Sequence, residues 1–242
     1  MRDKVGLGSM DTVPGSTSRA KRRDGEPMSP REERRRQLQE LSREHLLDAA
    51  ERVFAEKGFE SATVKEIADL AELSVGSVYQ LFENKKAIFR AVFRRRNEEG
   101  LGVLKEAMAS GDAPVEQLHR LIDATLDYYT EHRTFLLLFE HAIGGSWLNM
   151  KAGFDTRNFE EYLQYVALPA QVFARGREAG VFVPLDPEGL AVIYTGILQA
   201  YLLHEVIGLD RDPSVDPSSI SREQLHALLD RVFVAPGGSA PG

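Results

Sequence analysis

Residues 63–82, TVKEIADLAELSVGSVYQLF, decide the fold expected for this 242-residue chain. The stretch contains two short runs of apolar residues at helical spacing, separated by a polar turn. Thr63 and Glu66 form the pattern of a capping box, which starts the first helix, and Ser74 is a good N-cap for the second. Two short helices joined by a tight turn form a helix-turn-helix.

The outer face of the second predicted helix carries small and polar side chains. They are Val75, Gly76, Ser77, Tyr79 and Gln80. A narrow face of this kind suits entry into the major groove of DNA. A helix N-terminus also presents free backbone N–H groups to phosphate. The pattern therefore predicts a nucleic-acid surface on this helix.

Helical patterns also precede and follow this motif. Apolar residues recur at three- and four-residue spacing from Arg43 to Gly58, where the glycine predicts a C-cap. Another helix starts after Asn84 and runs to about Ser110. Further helices are predicted at about 115–132, 134–143, 155–180, 187–208 and 221–234. No segment shows the alternation typical of a strand, so the predicted fold class is all-α.

Charge separates the N-terminal part of the chain from the rest. The net charge is −7, but residues 1–96 hold 20 basic and 16 acidic side chains, whereas residues 97–242 hold 10 basic and 21 acidic ones. An anionic partner would therefore bind the N-terminal part of the chain. The alternative is that the charge difference is only solvated and has no partner. The basic runs at 19–23 and 34–36 either follow a phosphate backbone or act as a solubilising leader.

Composition and spacing exclude several kinds of site. The chain has no cysteine, which excludes disulfides, cysteine-ligated zinc, iron–sulfur clusters and thiol catalysis. His204 and Glu205 begin like a zinc-protease helix, but Gly208 stands where the second histidine would be. The sequence contains no phosphate-binding loop, dinucleotide fingerprint or serine-hydrolase elbow. We therefore expect no enzyme activity, no metal site and no cofactor.

The segment from Leu190 to Leu209 is apolar on nearly all sides. Gln199, His204 and Glu205 interrupt it, so a membrane span is not expected. A helix without a polar face must be buried. A second copy of the protein could bury this helix, which predicts a homodimer through this helix and the C-terminal helix. The alternative is the central helix of a monomeric bundle.

Four motifs, taken in order, resemble the tetracycline-repressor-like (TetR/AcrR) family of one-component transcriptional regulators. They are AERVFAEKGF at 50–59, TVKEIA at 63–68, SVGSVYQLF at 74–82 and NKKAIF at 84–89. The resemblance covers about residues 43–93. A bare helix-turn-helix pattern is a weak signal, whereas this whole ordered string is a strong one.

The resemblance implies a cytoplasmic, all-α regulator with a three-helix DNA-binding domain and a larger helical domain. We expect a disordered tail at 1–40, the helix-turn-helix domain at 41–92, an effector-binding and dimerisation domain at 93–235 and a disordered C-terminus at 236–242. The family implies a homodimer that represses from a palindromic operator in double-stranded DNA until an unidentified small-molecule effector releases it. The alternative is a helical interaction or small-molecule-binding module that has lost DNA binding.

The resemblance also places DNA contacts on eight residues. The residues expected to contact phosphates are Thr63, Ser74, Tyr79 and Lys85. The residues expected to contact bases are Val75, Gly76, Ser77 and Gln80. A glutamine can pair with adenine bidentately, for about 1–3 kcal/mol of discrimination. Packing for Tyr79, a solvated charge for Lys85 and simple exposure for Val75 remain alternatives. Many relatives have glycine where this chain has Glu72, and a left-handed backbone there would cost about 1 kcal/mol.

Candidate effector contacts in the second domain are aromatic residues and one histidine. They are Tyr128, Phe139, His141, Trp147, Phe173 and Tyr194. Aromatic residues at helical spacing are more often part of a core, and His141 could instead pair with Glu140. A hydrophobic or aromatic compound would suit these side chains, as it would any helical core.

Overall fold

The computed structural model describes residues 29–109, 111, 113–143, 156–208 and 220–237. Within these ranges the chain forms nine α-helices and no strand, which confirms the all-α prediction. The helices are α1 (Pro30–Ser61), α2 (Val64–Leu70), α3 (Val75–Leu81), α4 (Lys85–Met108), α5 (Pro114–Glu131), α6 (Arg133–Ile143), α7 (Thr156–Glu178), α8 (Pro187–Leu202) and α9 (Arg222–Phe233), with a π-helical turn at Leu203–Ile207. The chain divides into two compact units, residues 1–40 and 41–242.

The first unit contains the start of α1. The backbone N–H of Glu32 donates to the Ser29 hydroxyl at 3.4 Å, and the backbone N–H of Ser29 donates to the Glu32 carboxylate at 3.0 Å. This reciprocal pair is a capping box, and Pro30 suits the first position of a helix. The prediction of disorder at 1–40 is therefore wrong for 30–40, because this start signal lies upstream of the apolar periodicity. Residues 1–28 lie outside the described ranges.

The second unit contains two apolar cores, of which the first surrounds the helix-turn-helix. The predicted apolar residues of α1 are buried there, including Leu46, Leu47 and Phe54. Gly58 has a φ of 74°, the left-handed conformation that a C-cap glycine adopts, so the backbone leaves helical geometry where the sequence predicts. Phe59 then returns to the core, with its ring centre 5.9 Å from that of Phe54.

The turn between α2 and α3 is tight. The backbone N–H of Leu73 donates to the carbonyl of Ala68 at 2.9 Å, and the side chains of Ala68 and Val78 are fully buried. Glu72 has a φ of 55°, so the turn is left-handed at a residue other than glycine. The predicted helix-turn-helix is confirmed, with backbone strain at Glu72.

Both cores share α4. Ile88, Val92 and Phe93 belong to the first core, which also receives Phe135 from α6. Leu101, two turns further along α4, belongs to the second core. The domain boundary expected after residue 92 thus falls inside one continuous helix, and the domain limits stay a prediction.

The second core fills the space between α5, α7, α8 and α9. Phe173 lies at its centre, with its ring 5.2 Å from Phe182 and 4.9 Å from Phe233. Gly176 of α7 lies directly against the Phe182 ring, where a Cβ would clash. The absence of a side chain at 176 therefore allows α7 to pack this closely.

The apolar segment that begins at Leu190 forms α8. Its Leu190, Tyr194 and Leu198 are buried in the second core, whereas Val192 and Ile193 are more than half exposed. Across the described ranges, no helix is long and apolar enough to cross a membrane. This helix therefore carries an apolar face that nothing in the described part of the chain covers.

Candidate nucleic-acid interface

One carboxylate holds the N-terminus of α2. Glu66 accepts hydrogen bonds from the backbone N–H of Thr63 at 2.9 Å and from its hydroxyl at 2.8 Å. Lys57 Nζ lies 2.6 Å from the same carboxylate. The Lys57 ammonium, followed by the Thr63 donors, lowers the pKa of Glu66 to about 2. The carboxylate therefore stays ionised and ties α2 to the end of α1.

α3 turns one face to the first core and the other to solvent. Val78 is fully buried and the C-cap Phe82 is 8% exposed. On the outer side Val75 is 38% exposed, Tyr79 is 54% exposed and Gln80 is also exposed. Among the described residues, Val75, Tyr79 and Gln80 thus lie exposed on the outer side of α3.

Gly76 lies at the N-terminal end of this outer face. A Cβ at this position would meet only the Ser74 hydroxyl oxygen, at 3.7 Å. Packing within the chain therefore does not require glycine here. The missing side chain instead leaves room for a partner to approach the start of α3.

Ser74 and Ser77, at the start of α3, are hydrogen-bonded to each other. The backbone N–H of Ser77 donates to the Ser74 hydroxyl at 3.0 Å, which confirms Ser74 as the N-cap. The two hydroxyl oxygens are 2.8 Å apart. Because one hydroxyl donates to the other, only one keeps a proton for a phosphate or a base.

Lys85 points into the protein. Its Nζ donates to the carbonyl oxygens of Phe59 at 2.6 Å and Ala62 at 2.9 Å. It also donates to Glu60 at 3.1 Å and lies 4.6 Å from the centre of the Phe59 ring. An ammonium has three N–H groups, and all three are used here. In this structure Lys85 caps the C-terminal end of α1 and keeps no N–H group for a phosphate, so its phosphate contact stays an untested prediction that these bonds oppose.

Thr63 is occupied in the same way. Its backbone N–H and its hydroxyl both donate to the Glu66 carboxylate. A phosphate accepts hydrogen bonds, so a contact from Thr63 needs a donor that the capping box already uses. The predicted phosphate contact of Thr63 therefore conflicts with this structure.

Two exposed lysines near α3 are missing from the predicted contacts. Lys65 is the second residue of α2 and Lys86 is the second residue of α4, and both are exposed. The sequence motif points to Lys85 rather than to Lys86. Lys85 turns inward because of carbonyl partners that lie 23 to 26 residues upstream, and a local sequence pattern does not contain them.

A buried ion cluster holds α4 against α1. Glu51, which is 4% exposed, accepts a hydrogen bond from Arg96 Nε at 2.8 Å and lies 3.3 Å from Arg95. Arg95 also pairs with Glu44 at 2.9 Å. Burial alone would lower the pKa of Arg96, but the Glu51 carboxylate outweighs this effect and raises it. The Arg96 guanidinium therefore stays charged, and the cluster fixes the position of α4 on α1.

Two tyrosines, Tyr128 of α5 and Tyr165 of α7, reach the same turn of α4. The Tyr128 hydroxyl donates to the carbonyl of Arg96 at 2.6 Å, and the Tyr165 hydroxyl donates to that of Asn97 at 3.0 Å. Burial raises the pKa of both hydroxyls. A Cβ on Gly100 would clash with Tyr165. The predicted effector residue Tyr128 is thus engaged with α4, and α5 and α7 are coupled directly to that helix.

The other predicted effector residues lie in different places. Phe173 and Tyr194 are buried in the second core, whereas Phe139 is partly buried against the first. The Tyr194 hydroxyl is buried without a hydrogen-bond partner in the described part of the chain. Trp147 and the side chain of His141 lie outside the described residues. The structure places Phe173 as a core residue, and an effector role for the set remains untested.

A cavity of about 280 Å³ lies between α1, α4 and the junction of α5 and α6. Its walls are mostly charged and polar, and include Asp48, Arg52, Glu131 and His132. Small-molecule sites are mostly apolar, so this lining does not suit a hydrophobic effector. Among the residues that the structure describes, no cluster of carboxylates and histidines is arranged to hold a metal ion.

The helix-turn-helix region matches a known family. The family described as bacterial regulatory proteins, tetR family, matches residues 46–92, from the buried part of α1 into α4. This region of the chain is a TetR-family helix-turn-helix. The match spans the two helices and the turn described above, and it confirms the resemblance carried by the sequence motifs.

Two curated proteins extend the comparison. The uncharacterized HTH-type transcriptional regulator YhgD of Bacillus subtilis (strain 168) is 25% identical over 200 residues, which cover 81% of this chain and 95% of that protein. The HTH-type transcriptional repressor KstR2 of Rhodococcus jostii (strain RHA1) is 34% identical over 90 residues, 34% of this chain and 44% of that protein. The similarity to YhgD therefore runs well beyond the helix-turn-helix.

Two solved structures share the fold of most of this chain. The fatty acid degradation regulator FadR from Bacillus halodurans has a TM-score of 0.66 at 20% identity, covering 78% of this chain and 94% of that one. FadR from Bacillus subtilis in complex with stearoyl-CoA has a TM-score of 0.64 at 18% identity, with coverages of 76% and 96%. At these identities the likeness establishes the fold.

Proposed function

We propose that this TetR-family chain is a sequence-specific DNA-binding transcriptional regulator. In this proposal it acts as a homodimeric repressor that a small-molecule effector releases from a palindromic operator. The observation that carries the proposal is the outer face of α3, where Val75, Tyr79 and Gln80 are exposed while Val78 anchors the helix from behind. Relatives named as transcriptional regulators and repressors support it. Such a protein works in the cytoplasm and needs no catalytic activity.

Base contacts in this proposal come from the outer face of α3. Gln80 would pair with an adenine, for about 1–3 kcal/mol of discrimination against other bases. Val75 would contact a thymine methyl group. Gly76 would allow close approach, and Ser77 would donate to or accept from a base edge. The free space around Gly76 supports this arrangement.

Phosphate contacts come from residues whose donors are available. Ser74 lies at the N-terminus of α3, and the exposed hydroxyl of Tyr79 lies one turn further on. Lys65 and Lys86 replace the two predicted residues whose donors are used within the protein. Each phosphate contact from a lysine would add to the salt dependence of binding without adding sequence preference.

The proposed dimer forms through α8 and α9, the last two helices. On α8 Val192 is 57% exposed and Ile193 is 52% exposed, and Gly196 beside them has open space around it. On α9 Leu228 and Val232 are each more than 40% exposed. Exposed apolar residues in one stripe mark an interaction surface. A second copy that covers both stripes would give the two-fold symmetry that a palindromic operator mirrors.

Effector control in this proposal acts through α4. Two operator half-sites lie about 34 Å apart, so the two α3 helices must match that spacing. An effector that prefers a mismatched spacing releases DNA. The hydrogen bonds of Tyr128 and Tyr165 to α4 couple α5 and α7 directly to the helix that follows α3. The FadR complex with stearoyl-CoA suggests that the effector is a small organic molecule with a large apolar part.

A second candidate function is a helical interaction or small-molecule-binding module without DNA binding. Residues 41–92 contain seven basic and nine acidic side chains, a net charge of −2. DNA-binding domains are usually basic, so this balance favours the second candidate to some extent.

Selection of bound sites from random double-stranded DNA tests the proposal. We expect the full chain to enrich a two-fold symmetric motif. Gln80→Ala should relax the preference at one base position in each half-site. Gln164→Ala, an exposed glutamine on α7, is the matched control and should leave the motif unchanged. Failure of the full chain to enrich any motif would overturn the proposal in favour of the second candidate.

A further inference from the structure

We infer that three arginines at the start of α1 form a phosphate-binding surface that supplies the electrostatic part of DNA binding. The inference rests on the proposed function and adds to it a contact outside the helix-turn-helix. The residues are Arg31, Arg34 and Arg35, in the first unit of the chain. Their proposed partner is the sugar–phosphate backbone of the DNA to which α3 binds.

The first step is the shortage of positive charge in the helix-turn-helix domain. DNA affinity depends largely on lysines and arginines that neutralise phosphates. Residues 41–92 carry a net charge of −2, and α3 contains no basic residue. A domain with this balance does not have the basic surface expected of a protein that binds DNA unaided.

The second step is that several of the seven basic residues in that domain already have partners within the chain. Lys57 pairs with Glu66 at 2.6 Å. Lys85 caps α1 with all three of its N–H groups. The Arg43 guanidinium lies 5.0 Å from the centre of the Phe82 ring. The positive charge available for phosphate is therefore smaller than the count of basic residues indicates.

The third step is the position of the arginines around the helix. At 3.6 residues per turn, successive residues are rotated by about 100°. Arg31, Arg34 and Arg35 then fall within a sector of about 100°. The acidic residues of this segment fall on the opposite side together with Arg36; they are Glu32, Glu33 and Glu40. One side of the segment is thus basic, and on the other side carboxylates surround the single arginine.

The fourth step is that this basic sector is open. Residues 30–40 are all exposed. Arg34 Nε donates to the backbone carbonyl of Pro30 at 3.4 Å, a contact that leaves its charge uncompensated. A guanidinium can bind a phosphate through two parallel N–H groups, which suits it to this partner better than a lysine.

The chemistry of the segment favours nucleic acid over a lipid surface. A helix that lies on a membrane needs a continuous apolar face opposite its charges. Between residues 30 and 40, Leu38 is the large apolar residue, with 64% of its surface exposed. The whole of residues 1–40 holds ten basic and seven acidic side chains, and the remainder of the chain is acidic. A backbone of phosphates is the partner that this pattern fits.

Salt-dependent DNA binding tests the inference. The variant is Arg31→Gln/Arg34→Gln/Arg35→Gln in the full chain, and Arg36→Gln on the acidic side is the matched control. Each phosphate contact contributes about 0.9 to the magnitude of the slope of log K against log salt. The loss of three contacts should therefore reduce that magnitude by about 2.7 per protomer. At 0.1 M salt the affinity should fall on the order of 100-fold. Arg36→Gln should change neither quantity by more than a small fraction of this.

Further variants and probes separate the possible outcomes. Glutamine is a good helix former, so the triple variant should keep its helix content, which circular dichroism checks. Replacing the three arginines with lysine should restore most of the slope. An unchanged slope in the triple variant, or an equal loss from Arg36→Gln, would overturn the inference. Loss of binding to phosphatidylserine vesicles with unchanged DNA binding would also overturn it. If the wild-type chain selects no DNA motif, the proposed function fails, whereas a selected motif with an unchanged slope defeats only this inference.

Discussion

Replacing Lys85 with methionine distinguishes a structural role from a DNA contact. Methionine has nearly the length of lysine but no ammonium, so the change removes three hydrogen bonds and the ring contact while it keeps most of the packing. The carbonyl oxygens of Phe59, Glu60 and Ala62 at the end of α1 would then lack this donor. The structure therefore predicts that Lys85→Met destabilises the fold.

The size of the effect follows from the contacts. Two of the three bonds, to Phe59 and Ala62, are partly buried, and a hydrogen bond to a charged group contributes about 1.5–3 kcal/mol. The ammonium over the Phe59 ring adds about 0.5 kcal/mol. With each buried bond at the low end of its range, about 1.5 kcal/mol, and with the ring contact added, the total loss is about 3.5 kcal/mol. For a chain of this size that corresponds to a Tm about 7–14 °C lower.

Two assays on the same pair of variants decide the matter. Urea denaturation should show the loss in Lys85→Met and less than about 0.5 kcal/mol in Lys86→Met, since Lys86 is exposed. Salt titration of DNA binding, at a temperature where both variants are folded, should show the reverse. Lys86→Met should lower the slope by about 0.9 per protomer, and Lys85→Met should leave it unchanged. A Lys85→Met protein of wild-type stability with a reduced slope would refute the capping role and restore the phosphate contact.

The remaining predictions concern the turn, the ion cluster, the proposed dimer and acid stability. Glu72→Gly should raise the free energy of unfolding by about 0.5–1 kcal/mol in urea, because glycine tolerates the φ of 55°; a loss of stability would contradict the strain. Glu51→Gln should lower it by about 3 kcal/mol or more, because two guanidinium groups would lose their buried carboxylate. Ile193→Glu should convert the dimer to a monomer in sedimentation equilibrium, and an unchanged mass would place the interface elsewhere. The pKa of Glu66 is lowered to about 2, so its stabilising effect is present above its unfolded pKa of about 4.3 and is lost as the pH falls toward 2. Glu66→Gln should therefore flatten the Tm against pH across that range.

Local signals account for what the sequence predicted well. The capping box at Thr63, the N-cap at Ser74 and the C-cap at Gly58 are all found where the sequence places them. The left-handed backbone at Glu72, which the sequence raised only as a condition, is also observed. Each of these depends on groups within about four residues of one another along the chain. A sequence pattern contains all the groups involved, so it can predict them.

Apolar periodicity predicted too late a start for α1. The apolar periodicity begins in the forties, whereas the helix begins at Pro30 with the capping box of Ser29 and Glu32. Hydrophobic periodicity reports the face that a helix buries, and residues 30–40 bury none. Apolar periodicity therefore cannot locate a helix start whose residues are all exposed.

The amino-acid sequence alone determined that the chain is helical, where α3 starts, and which side of α3 is buried. These properties follow from short-range hydrogen bonding and from the helical period. Only the tertiary structure decided that Lys85 faces inward while Lys86 is exposed, and that the Tyr128 hydroxyl donates to the backbone of α4. The physical reason is that a donor binds whichever acceptor the fold brings near it. For these residues that acceptor lies 23 or more residues away along the chain.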